Sequence, residues 1–190
     1  MAEYKSRRRM GRFPKHVESL FRLIHTLCPD ESPICGAEIG VWKGDTTLAL
    51  LNEFPNLTMH CVDLWEQHDP DQTLIVSREE QVAARMECQA KLAPCGERAV
   101  IHIRPSTDPL GLSVMFTFID ACHLYESVRN DIAAWWPAVL PCGLLIGHDY
   151  SGTGDRCRDW GVRRAVDEFA EERKLMVCVK PGNVWCVRKP

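Results

Sequence analysis

With 190 residues, 45% of them apolar and 26% charged, the chain has the composition of one globular domain and the length to bury a real core. A formal net charge of -3 argues against a dedicated nucleic-acid binder, which would usually carry a broad basic face. No window approaches the about 18 apolar residues of a membrane span. Lys5, Arg7, Arg8, Arg9 and Arg12 crowd the start and read as a solvated basic tail over 1–14, ahead of a single domain over 15–190. No apolar stretch follows these residues, so they are not a secretory signal, and a cytoplasmic location is expected. The chain has 10 cysteines and none in C-x-x-C spacing. Several, such as Cys61 and Cys178, sit in apolar runs and read as reduced thiols acting as small hydrophobes.

In chain order, residues 15–28 put Val17, Leu20, Phe21, Ile24 and Leu27 on one helical face. A short apolar run at 34–41 reads as a buried strand, 45–54 as a helix and 57–63 as a second strand. A polar stretch with Pro70 follows and reads as a loop long enough to cover a site. Ser77-Arg78-Glu79-Glu80 has capping-box spacing and opens a helix that runs to about Leu92. Strands are expected at 99–104 and 114–120, then a helix over 125–136 stopped by Pro137 and Pro141. A fifth strand at 143–149, a helix at 162–173 and a sixth strand at 174–180 come next. Pro181-Gly182-Asn183 signals a turn, and 184–188 returns as the last strand. The alternation implies an α/β fold: a Rossmann-like, open, mostly parallel seven-stranded sheet, helices on both faces, and a C-terminal antiparallel hairpin.

In such a sheet, ligands bind beyond the carboxyl ends of the strands. The first strand runs into Glu38-Ile39-Gly40-Val41-Trp42-Lys43-Gly44, where glycine allows close backbone approach. The loop is not G-x-G-x-x-G. Glu38 would repel a pyrophosphate but suits a cation, such as the sulfonium and ammonium of S-adenosylmethionine. Cys61-Val62-Asp63-Leu64-Trp65 sets an acid at the end of the second strand, 25 residues after Glu38, a spacing at which it can accept hydrogen bonds from both ribose hydroxyls. Each acid also has a plainer reading, as a turn or cap residue.

The later part of the chain carries a resemblance. Phe118-Ile119-Asp120-Ala121-Cys122-His123-Leu124-Tyr125-Glu126 is followed by Asp131, Trp135, Pro137, Leu140-Pro141-Cys142-Gly143 and His148-Asp149-Tyr150, then by Gly161-Val162-Arg163-Arg164-Ala165-Val166-Asp167-Glu168-Phe169. With the loop after the first strand, these residues resemble the class I S-adenosylmethionine-dependent methyltransferases, in the small-molecule O-methyltransferase branch that includes macrocin O-methyltransferase-like enzymes. Members often carry I-D-G-D-H-x-Y-E and a P-G-G turn. Here Ala121-Cys122 stand for Gly-Asp, and Cys142 stands for the first turn glycine.

The resemblance implies S-adenosylmethionine at Glu38, Gly40, Gly44, Thr46, Asp63, Leu64, Trp65 and Asp120, with Ser106 and Thr107 after the third strand near the adenine end. Methyl transfer is an in-line displacement in which a hydroxyl acceptor must be aligned and must lose its proton. Asp120, His123, His148 and Asp149 are expected to meet at the ends of the fourth and fifth strands. His123 occupies the spacing at which catechol-type relatives hold a lysine base, so His123, Asp120 and Asp149 are the candidate catalytic residues. Alternatively Asp120, His148 and Asp149 hold a magnesium or another divalent ion that acidifies the hydroxyl. The expected reaction is O-methylation of a small molecule, with neither membrane nor nucleic acid as partner. A homodimer is expected from the amphipathic first helix. The alternatives are an N-methyltransferase, a modifier of peptide or nucleic acid, and a non-catalytic S-adenosylmethionine-binding partner subunit. The last could dispense with His123 and Asp149. The absent G-x-G-x-x-G disfavours a dinucleotide-dependent oxidoreductase.

Overall fold

The structure is a computed structural model that describes residues 13–28, 32–66, 76–151 and 161–190. The basic cluster from Lys5 to Arg12, the loop with Pro70, and Cys157 lie outside the described residues. The elements are α1 (Lys15–His25), β1 (Ile34–Ile39), α2 (Asp45–Glu53), β2 (Leu57–Asp63), α3 (Arg78–Leu92), a 3-10 turn (Ala93–Arg98), β3 (Ala99–Ile103), β4 (Val114–Ile119), α4 (Tyr125–Trp135), β5 (Val139–Gly147), α5 (Val162–Glu172), β6 (Val177–Lys180) and β7 (Val184–Arg188).

The sheet has the order β3-β2-β1-β4-β5-β7-β6. β1 lies parallel between β2 and β4, with Glu38 opposite Cys61 on one side and Phe118 on the other. β7 runs antiparallel to both β5 and β6, which is the expected hairpin. Side chains alternate across a strand, and both faces are covered, so the strands read as nearly continuous apolar runs. Leu144 and Ile146 of β5 join Phe116 and Phe118 under α1, α2 and α3. Leu145 joins Ile39 and Trp185 under α4 and α5.

Helix ends follow their local chemistry. Ser77 and Glu80 form the capping box, with Ser77 Oγ accepting from the Glu80 N–H at 3.2 Å and Glu80 Oε2 from the Ser77 N–H at 2.8 Å. The apolar stripe of α1 (Val17, Leu20, Phe21, Leu23, Ile24) is buried in the chain's own core. Among the described residues no helix is long and apolar enough to cross a membrane, and none of the nine cysteines forms a disulfide.

The fifth strand departs from its expected bounds. It begins at Val139, not 143, because Val139 pairs with Val114 before the register shifts and Leu144 meets Phe116. Pro141 sits within the strand, and Cys142 adopts a φ of 63, so the segment that reads as a stop is an irregularity in the strand. The strand also ends at Gly147, leaving His148 and Asp149 beyond the sheet, with Asp149 at a φ of 55.

Gly40 is a position at the sheet's carboxyl edge that requires glycine both for its φ and for close packing. Its φ is +87, and a Cβ there would lie 2.4 Å from the Asp120 carbonyl oxygen and 2.6 Å from Ala121 Cα. The close approach is therefore made by the chain's own backbone. Gly111 has a φ of +66 and nothing within 4 Å of its missing Cβ. Gly111→Ala should cost only the left-handed penalty of about 1 kcal/mol. Gly40→Ala should cost a further 1–3 kcal/mol, roughly, because β4 must move. Urea unfolding of the two variants measures the difference, and equal losses would contradict the close β1–β4 approach.

Candidate active site

The row of strand ends is built by backbone hydrogen bonds. The residue just past each strand donates its N–H to the last carbonyls of its neighbour: Gly40 to Val62 O at 2.9 Å, Asp120 to Ile39 O at 2.8 Å, and His148 to Ile119 O at 3.1 Å. Gly40, Asp120 and His148 thus emerge level with one another. Between β1 and β4 the connections diverge to opposite faces, which is the switch point where open α/β sheets bind ligands.

On the β1–β2 side, Asp63 organises two loops. Its Oδ2 accepts from the N–H of Val41 at 2.9 Å and of Trp42 at 2.8 Å, and its Oδ1 accepts from the N–H of Trp65 at 2.8 Å. Trp65 is buried and donates its indole N–H to Trp42 O at 2.9 Å. Leu64 beside it is half-buried. Glu38 is 2% exposed and accepts a short hydrogen bond from the Thr47 hydroxyl. Burial pushes its pKa up to about 8 against that hydrogen bond, with the negative charges of Asp120 and Asp63 adding to the rise. Thr47, not the half-buried Thr46, is therefore the partner of Glu38 on α2. Gly44 begins α2 with a φ of 76, and its missing Cβ faces Cys88 at 3.0 Å. Ser106 and Thr107 follow β3, and Ser106 O accepts from the indole N–H of the buried Trp135 at 2.6 Å.

On the β4–β5 side the four expected residues do meet. His123 Nε2 lies 3.1 Å from Asp149 Oδ2 and 3.6 Å from Asp120 Oδ1. His148 Nδ1 lies 3.2 Å from Asp149 Oδ2 and 3.3 Å from Asp120 Oδ1. Each imidazole bridges the same two carboxylates. Burial disfavours the imidazolium forms, but hydrogen bonds and charge from both carboxylates outweigh it and raise His123 to about 9 and His148 to about 10. Burial would raise both acids, yet the imidazoles hold Asp120 and Asp149 below the usual carboxylate range. The donor atoms of Asp120, His123 and Asp149 all lie within 4.8 Å of one another, a set able to hold a metal ion.

The structure adds His16, whose ring centroid stands 4.9 Å from that of His148. It is carried there because α1 packs on the β6–β7 turn: Ser19 Oγ donates to Pro181 O at 2.7 Å, and a Cβ on Gly182 would strike the His16 backbone nitrogen at 2.3 Å. His16 lies four and eight residues before Leu20 and Ile24, on the inward stripe of α1, so its side was legible from helical spacing. Its neighbour across the sheet was not.

The pKa shifts fix a pH dependence of stability. The imidazole contributions are whole below the unfolded value of 6.5 and are lost as pH rises through about 9 and 10. Glu38 acts in the same direction, since ionising the buried acid becomes costly between 4.5 and about 8. Asp120 and Asp149 act oppositely, their contributions present above 3.8 and lost as pH falls. In chelator, the thermal midpoint should fall steadily as pH rises from about 6.5 to about 10. A His123→Asn/His148→Asn double variant should show a shallower slope. A parent profile that is flat over this range would contradict the pairing.

A family described as a methyltransferase domain matches residues 37–150, more than half of the chain. No curated protein matches the chain in sequence. Among solved structures, the O-methyltransferase NovP has a TM-score of 0.67 and 16% identity, covering 92% of this chain and 79% of its own. An O-methyltransferase from Bacillus cereus in complex with SAH has a TM-score of 0.60 and 15% identity, over 90% of this chain and 81% of its own. The N-methyltransferase NodS from Bradyrhizobium japonicum has a TM-score of 0.61 and 14% identity, over 91% of this chain and 95% of its own. At these identities the likeness is one of fold, shared by proteins named for O- and for N-methylation. The chain belongs to the methyltransferase-domain family and is a class I S-adenosylmethionine-dependent methyltransferase, as the motifs of its sequence implied.

Proposed function

We propose that the protein transfers the methyl group of S-adenosylmethionine to a hydroxyl oxygen of a small molecule, at the crevice between the ends of β1 and β4. The observation that carries this reading is the constellation of Asp120, His123, His148 and Asp149, two carboxylates and two imidazoles held 3.1 to 3.6 Å apart beside the β1 loop. Hydroxyl methylation needs the acceptor's proton to be withdrawn or its pKa lowered, and these carboxylates and imidazoles stand where either can be done.

The donor lies along Gly40, Leu64 and Trp65, with the adenine towards Ser106 and Thr107. Asp63 faces the ribose while holding the backbone of both flanking loops. Glu38 and Asp120 present negative charge to the methionine end of the donor, and the sulfonium and ammonium draw Glu38 back towards its ionised form. Gly44 and Thr46 support the loop from the start of α2. In the transfer, an oxygen lone pair of the acceptor forms the new O–CH3 bond as the S–CH3 bond breaks. The electron pair of that bond stays on sulfur, giving S-adenosylhomocysteine, and the hydroxyl proton passes to the cluster.

Two roles for the cluster follow from its geometry. As a free base, His123 must release Nε2 from two carboxylates before it can face a hydroxyl. The donor set also fits a divalent ion, held by Asp120, His123 and Asp149. Such an ion lowers the pKa of a hydroxyl near it. The engagement of His123 by both carboxylates favours this second role.

The test begins with calorimetric titration of S-adenosylhomocysteine, followed by a panel of hydroxyl- and amine-bearing acceptors with product analysis. Methylation of oxygen is expected, and methylation of nitrogen alone would overturn the assignment. Asp63→Asn should weaken S-adenosylhomocysteine binding by about 1.5–3 kcal/mol, since it removes a charged acceptor and loosens the loops of Val41 and Trp65. Unchanged affinity in the folded variant would remove Asp63 from the donor site. His123→Ala and Asp149→Ala should each lower turnover on the order of 10²–10⁴ while S-adenosylhomocysteine still binds.

A further inference from the structure

A cleft opens beside the cluster, on the face of the sheet that α4 and α5 cover. Ile119, Val128, Val162 and Trp185 line it, and each is at most 5% exposed, so the cleft reaches the apolar core under those helices. Ala121 and Cys122 complete the apolar lining, the thiol packing as a small hydrophobe. The indole N–H of Trp185 is already given to His148 O at 3.1 Å, so the tryptophan presents its ring to the cleft and not its donor. Among the described residues that line the cleft, none carries a carboxylate, an amide, a hydroxyl or an ammonium group. Its polar side is made by the rings of His123 and His148, which also face the two carboxylates of the cluster. Counting its open mouth, the cleft holds about 190 Å³. Pockets for drug-sized ligands hold roughly 300–1,000 Å³, so what enters here is compact.

Such a lining sorts hydroxyl-bearing molecules. A sugar ring carries several hydroxyls, and each one seated here without a partner would cost about 1–3 kcal/mol. An ionised group would cost more. A phenol brings a single hydroxyl on an otherwise bare, flat ring. It also ionises at about 10, as tyrosine does, against about 15.7 for water, so its proton is the easier to withdraw.

We propose that the methyl acceptor is a compact phenol whose ring packs in this cleft against Val162 and Trp185, with its hydroxyl turned to the cluster. The proposal rests on the reading of the protein as a hydroxyl methyltransferase, and the two fail in different ways. The phenol oxygen forms the O–CH3 bond as the S–CH3 bond breaks, the electron pair of that bond stays on sulfur, and the phenolic proton leaves to the cluster.

The experiment uses the full chain with S-adenosylmethionine and added Mg2+, and three probes of one ring each: 4-methylphenol, methyl α-D-glucopyranoside and 4-methylaniline. Products are identified by mass spectrometry, and rates are read from the release of S-adenosylhomocysteine. The expected product is the methyl ether of 4-methylphenol, with a kcat/KM at least about tenfold above that for the glucoside, the factor that one unpaired hydroxyl supplies. Cys122→Asp sets a carboxylate in the cleft. It should raise the KM for 4-methylphenol on the order of tenfold while S-adenosylhomocysteine still binds by calorimetry. Oxygen methylation of the glucoside as fast as that of the phenol overturns the proposal and leaves the hydroxyl reading intact. Methylation of 4-methylaniline alone overturns both. No product from any probe, in protein that binds S-adenosylhomocysteine, overturns the proposal, and so does an unchanged KM in a Cys122→Asp variant with a native circular dichroism spectrum.

Discussion

The site depends on how the sheet ends. Each strand from β2 to β5 is tied to its neighbour at the carboxyl edge by an N–H donated across the step, from Gly40 to Val62 O, Asp120 to Ile39 O and His148 to Ile119 O. Buried backbone groups must be paired, so these bonds are strongly favoured, and their lengths leave little freedom for one strand to slide past another. They set Glu38, Asp63, Asp120 and His148 along a single edge although the four come from the ends of four separate strands. Gly40 packs directly against the chain leaving β4, and any side chain there would meet the Asp120 carbonyl. The absence of a Cβ is what lets the cluster sit beside the β1 loop.

Two electrostatic solutions stand side by side along this edge. Glu38 is sealed from water and partnered by Thr47 rather than by a cation, so burial favours its protonated form. Asp120 and Asp149 retain contact with solvent and are balanced by two imidazoles, which keep them ionised. The half-buried pair carries its counter-charges already. In the proposed function this division suits a cationic donor on one side of the crevice and a proton-losing acceptor on the other.

Tryptophans and the terminal hairpin hold the edges of the crevice. Trp135 binds Ser106 O, and Trp185 donates to His148 O at 3.1 Å while its ring lies against Gly147. Both are almost fully buried, so each brings a polar N–H to a loop carbonyl at the margin of an apolar core. The β6–β7 turn receives the start of α1, and that contact delivers His16. The last strands thus shape a site whose chemistry sits on the central ones.

Periodicity and composition in the chain determined the element types and their order, including the final hairpin, because the alternation of apolar residues is a local property that packing only reinforces. Strand ends and the family resemblance together singled out Glu38, Asp63, Asp120, His123, His148 and Asp149 as candidates, since ligands in an open α/β sheet bind beyond the carboxyl ends of the strands. Tertiary structure decided what those side chains touch. The pairing of Glu38 with Thr47 rather than with Thr46 depends on which face of α2 turns inward. The three backbone bonds of Asp63 depend on a left-handed φ of 52 at Trp42 and of 46 at Trp65. The start of β5 at Val139 depends on a register shift opposite β4, and a proline read in isolation signals a stop there. The ring of His148 between two carboxylates and beside His16 joins residues more than a hundred positions apart, and no local pattern encodes so distant a partner. Side-chain type is written in the sequence, but contact geometry arises only when strand register and helix packing close the chain upon itself.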